Sequence, residues 1–564
     1  MSRIAFVSVL SSVLMAGTLS AQEEGPLVTS PSAMATSDSF TEIAMRGLAN
    51  AYEAEADVEA AEVQREPGVL KRPGLELELP ALLAPSPNVP VPAPVQQTAN
   101  PRPSLGATVI QNCEGLGLGT PGYTITGAPP DTVLGVSPTQ IVQWVNSHIA
   151  VYDKSCNPLL PAPGFIRGNK IWETLPAGSL CRDFNRGDPM VQYDRYADRW
   201  ILGQFAFNAS FTSNAYCIAV STTSNATGTY SLYEYSFGDG LPDYPKLGVW
   251  WDAYYVTFNM FTTGSSFGGG RACAYDRAAM IAGAAASSIC FNSLDRFSFM
   301  PADAEGSLPP APGTPNFHIS WNWAFLAAPP YTMQLTKFVP DFVTPASSTF
   351  GDGQGGGSFS FVPFPLDGGT IASCGDTSGA CLPQPGTTQR LDTLSDRHMF
   401  RLAYRNFGTF DSLVVTQTVD PAGAQLGGVR WWEIRNPNAN APIVYQNSTY
   451  APADGLNRWM SSGATDKRGN FAIGYSAGSA AVPAGIRIAG RLRTEPRNIL
   501  RGEQTLMAGA GSQLTSLARW GDYSAMQIDP ADDCTFWYTT EYLAANGTFN
   551  WHTRMAGFKF PNCQ

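Results

Sequence analysis

The sequence predicts an all-β chain folded as a single β-propeller of seven antiparallel meanders, preceded by a short helix and a Pro-rich spacer. Three observations predict it: a turn-rich, aromatic composition, a strand-turn-strand unit that recurs through residues 105–564, and the continuity of those units. Gly 55 and Pro 44 supply turn geometry, and 30 Phe, 21 Tyr and 13 Trp suit pleated surfaces rather than long helices. An array of β-sandwiches, the competing fold, would interrupt the units with a linker about every 100 residues, and no such linker occurs.

The unit is clearest in MVQYDRYADRWILGQF (Met190 to Phe205), WMSSGATDKRGNFAIGYS (Trp459 to Ser476) and SAMQIDPADDCTFWYTTEY (Ser524 to Tyr542). In each, an Asp opens the turn (Asp194, Asp466, Asp529) and an Asp or Asn stands four residues on (Asp198, Asn470, Asp533). Short carboxylate and amide side chains cap turn amides and tolerate left-handed backbone, so these segments read as hairpins. A third strand follows in segments such as GRACAYDR and GVRWWEIR. Repeats of this length that cannot bury a face alone make a radial array. The seven units are expected to begin near Val136, Pro189, Lys246, Phe299, Met399, Trp459 and Tyr523. Gly351 to Pro385 and Arg493 to Gly511 fit no unit and are expected to be surface insertions.

Ahead of the array, residues 1–21 pair Arg3 with an apolar run and end in small residues, the pattern of a secretory signal peptide. Residues 22–66 form an acidic segment in which Ser39 and Glu42 have capping-box spacing, so one weakly packed helix is expected there. Residues 67–104 are a Pro-rich linker, and 105–564 the propeller. No stretch reaches about 20 apolar residues, so a transmembrane segment is not expected, and the protein reads as secreted, periplasmic or cell-surface. Charged residues are only 14 % of the chain and the net charge is −11, which argues against a nucleic-acid partner. Twelve acids against five bases fall within residues 22–105, so the body is only mildly acidic.

Ten cysteines in an exported chain point to disulfides. The expected pairs are Cys156 with Cys181, Cys273 with Cys290, Cys374 with Cys381, and Cys534 with Cys563, leaving Cys113 and Cys217 to pair or stay free. With no CxxC and only four histidines, a zinc site is not expected.

The segments GDPMVQYDRYADRWILGQF, DYPKLGVWWDAYYVTFNMF, CLPQPGTTQRLDTLSDRHMFRLAYRNFG and RWGDYSAMQIDPADDCTFWYTTEY resemble secreted bacterial propeller proteins of the sialidase-like (BNR-repeat) kind. The resemblance covers residues 105–564 and implies the fold and export without implying an activity. The S-x-D-x-G-x-T-W box of sialidases does not occur in the chain.

In a propeller the first strands of all units converge on a central channel, and the residues just before them line one mouth. Those positions give an expected ligand-binding set of Arg182, Asp188, Asp243, Arg401, Arg458, Arg519, Asp522 and Tyr523, with Arg186 alongside. Guanidiniums at one mouth make a forked receptor for the carboxylate or sulfate of an acidic sugar, with Trp459, Trp520 and Tyr523 to stack on sugar faces. Alternatively, Arg and Asp of neighbouring units satisfy one another as structural ion pairs. Hydrolysis would need two carboxylates, or a Tyr nucleophile with its base, and the candidates are Glu541 with Tyr542, Asp522 with Tyr523, and Glu433. No cofactor is expected, with calcium at Asp188, Asp243 and Asp522 as the alternative. The expected function is recognition of an acidic glycan or a protein ligand by an exported propeller, the alternative a sialidase-like hydrolase.

Overall fold

The computed structural model describes residues 25–47 and most of 95–563, the longest stretches outside it being 323–332, 352–358 and 361–379. Among the described residues, seven antiparallel meanders follow one another along the chain. Their first strands are Val133–Val136, Met190–Asp194, Gly240–Val249, Arg296–Glu305, His398–Asn406, Asn457–Thr465 and Ala525–Ile528. Each of these first strands neighbours the next, and the seventh neighbours the first, so they close a ring with the later strands radiating outward. The protein is a β-propeller. The expected starting points lie in these first strands or within two residues of them.

First strands are buried on both faces, which is why they lack a polar-apolar alternation; Asn457–Thr465 is buried at every position. Most of them splay too far apart for ladder hydrogen bonds, the fourth and fifth being the parallel exception. Small polar side chains bridge the others. Ser462 Oγ accepts from Met526 N at 3.0 Å and Ser524 Oγ donates to Met460 O at 3.0 Å, and from the second strand of the third meander Thr257 Oγ1 donates to Phe299 O at 2.6 Å. Farther out, aromatic side chains fill the space between meanders, as in Tyr216 against Phe258 at 4.9 Å and Trp431 against Phe471 at 4.8 Å. The hairpin turns form as their sequence indicates: Asp194 Oδ1 accepts from the amides of Tyr196 and Ala197, and Asp466 Oδ1 from those of Arg468 and Asn470. Asp198 and Asp533 take left-handed φ values of 54° and 59°.

The ring is closed from outside by the start of the chain. Strand Thr108–Glu114 pairs antiparallel with Trp551–Lys559 and completes the seventh meander. Segments farther upstream cover other sheet edges. Leu27–Thr29 pairs with the outer strand of the third meander, Ala33–Thr36 with that of the second, and Val95–Gln97 runs parallel to that of the fifth. The helix Phe40–Gly47 has the reciprocal cap expected of it, Ser39 N donating to Glu42 Oε2 at 2.9 Å and Glu42 N to Ser39 Oγ at 3.2 Å. It is not weakly packed. Phe40, Ile43 and Ala44 are buried, and Phe40 stacks on Tyr230 at 4.8 Å, because three apolar residues on one face suffice when a sheet edge receives them. Residues 1–24 and 48–94, with the expected signal peptide and most of the expected Pro-rich linker, lie outside the described residues.

The disulfides are Cys113–Cys156, Cys181–Cys217, Cys273–Cys290 and Cys534–Cys563. The expected Cys156 to Cys181 pair is therefore wrong. Ring closure sets Cys113, on the outer strand of the seventh meander, beside the first meander and Cys156. Cys181 sits instead in the short helix Leu180–Asp183, which packs on the strand carrying Cys217. The expected Cys374 to Cys381 pair lies outside the described residues. These bonds are the chemistry of an oxidising compartment, and no helix among the described residues is long and apolar enough to cross a membrane.

Cys113–Cys156 spans 43 residues and ties the closing strand to the first meander, whereas Cys273–Cys290 spans 17 within one sheet. Replacing Cys113 and Cys156 by Ser is expected to cost about 2–4 kcal/mol and to lower the thermal midpoint more than the same change at Cys273 and Cys290. Calorimetry of the two double variants checks the order, and equal midpoints would contradict the closing role.

Candidate functional site

At one end of the ring the chain enters several first strands through a left-handed residue. Asp131, Asp188, Tyr244 and Asp522 have φ of 49°, 46°, 53° and 57°. Asp tolerates this conformation better than most side chains. The geometry turns the side chains of four meanders toward one another at the channel mouth.

Asp188 Oδ2 accepts from Tyr244 N at 3.2 Å, and its carboxyl is hydrogen-bonded to that of Asp131, whose own Oδ1 is otherwise unpartnered. Tyr244 donates its hydroxyl to Asp522 O at 3.2 Å and Tyr523 to Pro189 O at 3.4 Å, the two rings meeting edge to face at 5.9 Å. Lys246 lies over both rings, its Nζ 3.3 Å from the Tyr244 centroid and 4.1 Å from that of Tyr523, and donates to Pro245 O at 2.8 Å. The Arg397 guanidinium covers Tyr244 at 4.5 Å. Lys246 and the three carboxyls of Asp131, Asp188 and Asp522 are buried, while Asp243 is partly exposed.

Burial penalises every charge here, and the charges then act on one another. Burial, then the Asp522 and Asp188 charges, hold the Asp131 carboxyl well above the ordinary range. Burial followed by the Asp188 charge does the same to Asp522 and pushes Asp243 up to about 7. Asp188 is raised by burial and eased back by Lys246. The lysine is pushed down to about 7 by burial, against the pull of Asp188 and Asp131. Burial thus favours the protonated carboxyl and the neutral amine at the mouth, an arrangement able to donate and accept protons and to hydrogen-bond neutral polar groups.

Of the residues expected at the mouth, Asp188, Asp243, Asp522 and Tyr523 come together. The arginines do not form a receptor. Arg401 donates to Asp303 Oδ2 at 2.7 Å, Glu305 Oε2 at 2.8 Å and Met526 O at 2.8 Å. Arg458 is held by Asp454 at 2.6 Å and Glu503 at 3.0 Å. Arg519 pairs with Asp522, its Nε 2.9 Å from Oδ1. Arg182 stands outside the ring on the helix Leu180–Asp183 and donates to Leu175 O at 3.2 Å, and Arg186 donates to Phe207 O. A guanidinium buried in a ring of strands needs its own acceptors, and these arginines have them. Trp459 and Trp520 are buried against each other rather than offered to a sugar.

The hydrolase pair Glu541 and Tyr542 is also divided. Glu541 is buried and its carboxyl raised by burial, while Tyr542 donates outward to Glu114 at 2.8 Å. Glu433 is paired with Arg435. Among the described residues no group of three or more His, Cys, Asp or Glu is placed to hold a metal ion. Lys246 stands among the aspartates that the calcium alternative would use. Asp131, Lys246, Tyr244 and Arg397 were not foreseen. The signal for Asp131 was available, since PPD before the first strand parallels PDY and GDY before others.

No family model matches the chain, and no curated protein matches it. Among solved structures it is similar to an endo-arabinase from Bacteroides thetaiotaomicron (11% identity, 55% of this chain and 95% of that one, TM-score 0.29). It is also similar to an alpha-L-arabinanase from Penicillium chrysogenum (9%, 66% and 95%, TM-score 0.29) and to the WD40 domain of SCAP from fission yeast (8%, 80% and 91%, TM-score 0.28).

A carboxyl whose pKa is raised on folding makes the folded state bind more protons than the unfolded one, so it costs stability as pH rises from about 4 toward the folded value. For Asp243 that window ends at about 7. Asp243→Asn is expected to stabilise the protein relative to wild type at pH 7.5 by on the order of 1–3 kcal/mol and to be neutral at pH 4. Denaturant melts at the two pH values check it, a pH-independent difference being the contrary result.

Proposed function

We propose that this protein is an exported propeller that binds a neutral glycan at the channel mouth. The observation that supports this reading is the proton-bearing aspartate cluster. Four carboxyls converge, and their raised pKa values favour a mixture of hydroxyl donors and carbonyl-type acceptors suited to sugar hydroxyls. The acidic-glycan reading loses its basis at this site because its arginines are held by acids.

A second reading, hydrolysis of the bound glycan, is favoured by Asp243. A partly exposed carboxyl with a pKa of about 7 beside other carboxyls is what a general acid requires. The sialidase-like version would use Tyr523 beside Asp522 and Asp188, without an arginine receptor for the sugar carboxylate. Export rests on the Arg3-led apolar leader and on the disulfides.

Affinity electrophoresis of the full chain through soluble xylan, arabinan and glucan is expected to show retardation by at least one, weakened tenfold or more in Asp243→Asn. Retardation by none, or equal retardation of the variant, would end the proposal. Reducing-sugar release that vanishes in Asp243→Asn would select the hydrolytic reading, and binding without release the recognition reading.

A further inference from the structure

The end of the propeller opposite the mouth carries a second surface. First strands run away from the mouth, so the turns after them, and the ends of the third strands, lie at the far end. There the turn Phe407 to Phe410, the end of Gly428–Arg435, the start of Ile443–Tyr450 and the connection following Gly485–Arg491 come together.

Their side chains alternate as cation and ring. Arg497 lies over Tyr445 at 4.0 Å, Arg435 lies over the same ring at 3.3 Å and over Phe410 at 4.0 Å, and Arg493 lies over Phe410 at 5.6 Å. Phe407 stacks on Phe410 at 4.8 Å and extends the row. Arg493 and Arg497 are exposed, and Ile443 beside them is 51% exposed.

Stacking holds a guanidinium by its face and leaves its N–H edges free. Among the described residues neither Arg493 nor Arg497 has an acidic partner. The glutamates nearby are already paired. Glu433 is held by Arg435 within the row, and Glu495 by Arg501 and Arg102.

The connection is also fixed rather than loosely draped. Leu492 N donates to Glu495 Oε2 at 2.8 Å, Arg493 N to Asn470 Oδ1 at 3.1 Å, and Asn447 N to Asn498 Oδ1 at 2.9 Å. Arg435 is neutralised by Glu433, but Arg493 and Arg497, two like charges on rigid supports, have no acid among the described residues and are mutually unfavourable until an anion meets them. Their forks match carboxylate and sulfate, and the aromatic and aliphatic surface between them suits the carbon faces of a sugar chain.

We infer that the surface formed by Arg493, Phe410, Arg435, Tyr445 and Arg497 is a binding site for an acidic polysaccharide, one bearing uronate or sulfate groups. It stands on the opposite face from the mouth and does not rest on the reading given for that site. The net charge of −11 disfavours nucleic acid, and the rings between the guanidiniums suit a sugar chain.

The test is affinity electrophoresis of the full chain in polygalacturonate, in dextran sulfate and in plain dextran, with a fluorescent DNA duplex in parallel. Wild type is expected to be retarded by polygalacturonate, dextran sulfate or both, with retardation falling as salt rises, and not by dextran. Which of the two acts identifies the anion as carboxylate or sulfate. Arg493→Ala with Arg497→Ala, both exposed positions, is expected to lose affinity tenfold or more at an unchanged melting temperature, and Asp243→Asn to retain it. Absence of retardation in both acidic gels, equal retardation of the double variant, or DNA binding as tight as either polysaccharide would overturn the assignment.

Discussion

Arg401 is the point on which the propeller closes. Its guanidinium joins Asp303 and Glu305 of the fourth meander to the Met526 carbonyl of the seventh, from its own place in the fifth. The other side of each acid reaches farther round the ring. Asp303 Oδ1 accepts from Val249 N of the third meander at 3.0 Å, and Glu305 Oε1 from Thr465 N of the sixth at 3.4 Å. Arg405 continues the network to Asp533, which Arg195 of the second meander also holds at 3.0 Å. First strands splay too far to pair along their lengths, so the ring cannot close on ladder hydrogen bonds alone. Long side chains with several donors in a fixed fork span the gap. Removing one partner of such a buried pair generally costs about 3–5 kcal/mol, since the other charge is left without solvent or counterion.

That constraint decides which arginines are free. Arg401, Arg405 and Arg195 are needed in the ring, and acids match them there. The carboxyls at the mouth outnumber their cations. Lys246 and Arg397 pull on Asp188, Asp243 and Asp522, and Arg519 is taken up by Asp522, but burial outweighs that pull. Burial and mutual repulsion then leave protonation as the remaining way to neutralise the group. The site's acid-base character thus follows from the way the propeller is built.

Much of the fold was legible in the sequence, because it resides in local signals. Asp194, Asp466 and Asp529 mark hairpin turns through hydrogen bonds within four residues, and the first strands follow from them at nearly the expected positions. Cys273 faces Cys290 across adjoining strands of one sheet, so that pair was legible too. Cys113–Cys156 was not, because it depends on the closing strand Thr108–Glu114 travelling to the far end of the chain. The mouth was half legible for a related reason. Position before a first strand says which residues converge, and Asp188, Asp243, Asp522 and Tyr523 do lie near one another. It cannot say which charges are already paired, and Asp303, Glu305 and Glu503, the acids that hold Arg401 and Arg458, sit in strands and loops that carry no special pattern.

The two ends of the channel are therefore unlike for a physical reason. At the mouth, side chains enter the ring from loops and face each other at close quarters, so like charges must lose their charge or find partners. At the far end, chain reversals open outward into solvent, where Arg493 and Arg497 stay charged at little cost as long as aromatic rings support them. A buried acid cluster and an exposed arginine row select opposite ligands, one uncharged and able to share protons, the other anionic. A chain with −11 overall carries an anion-binding surface only where local cations exceed local acids, and beside the row Glu433 is matched by Arg435 and Glu495 by Arg501, which leaves Arg493 and Arg497 over.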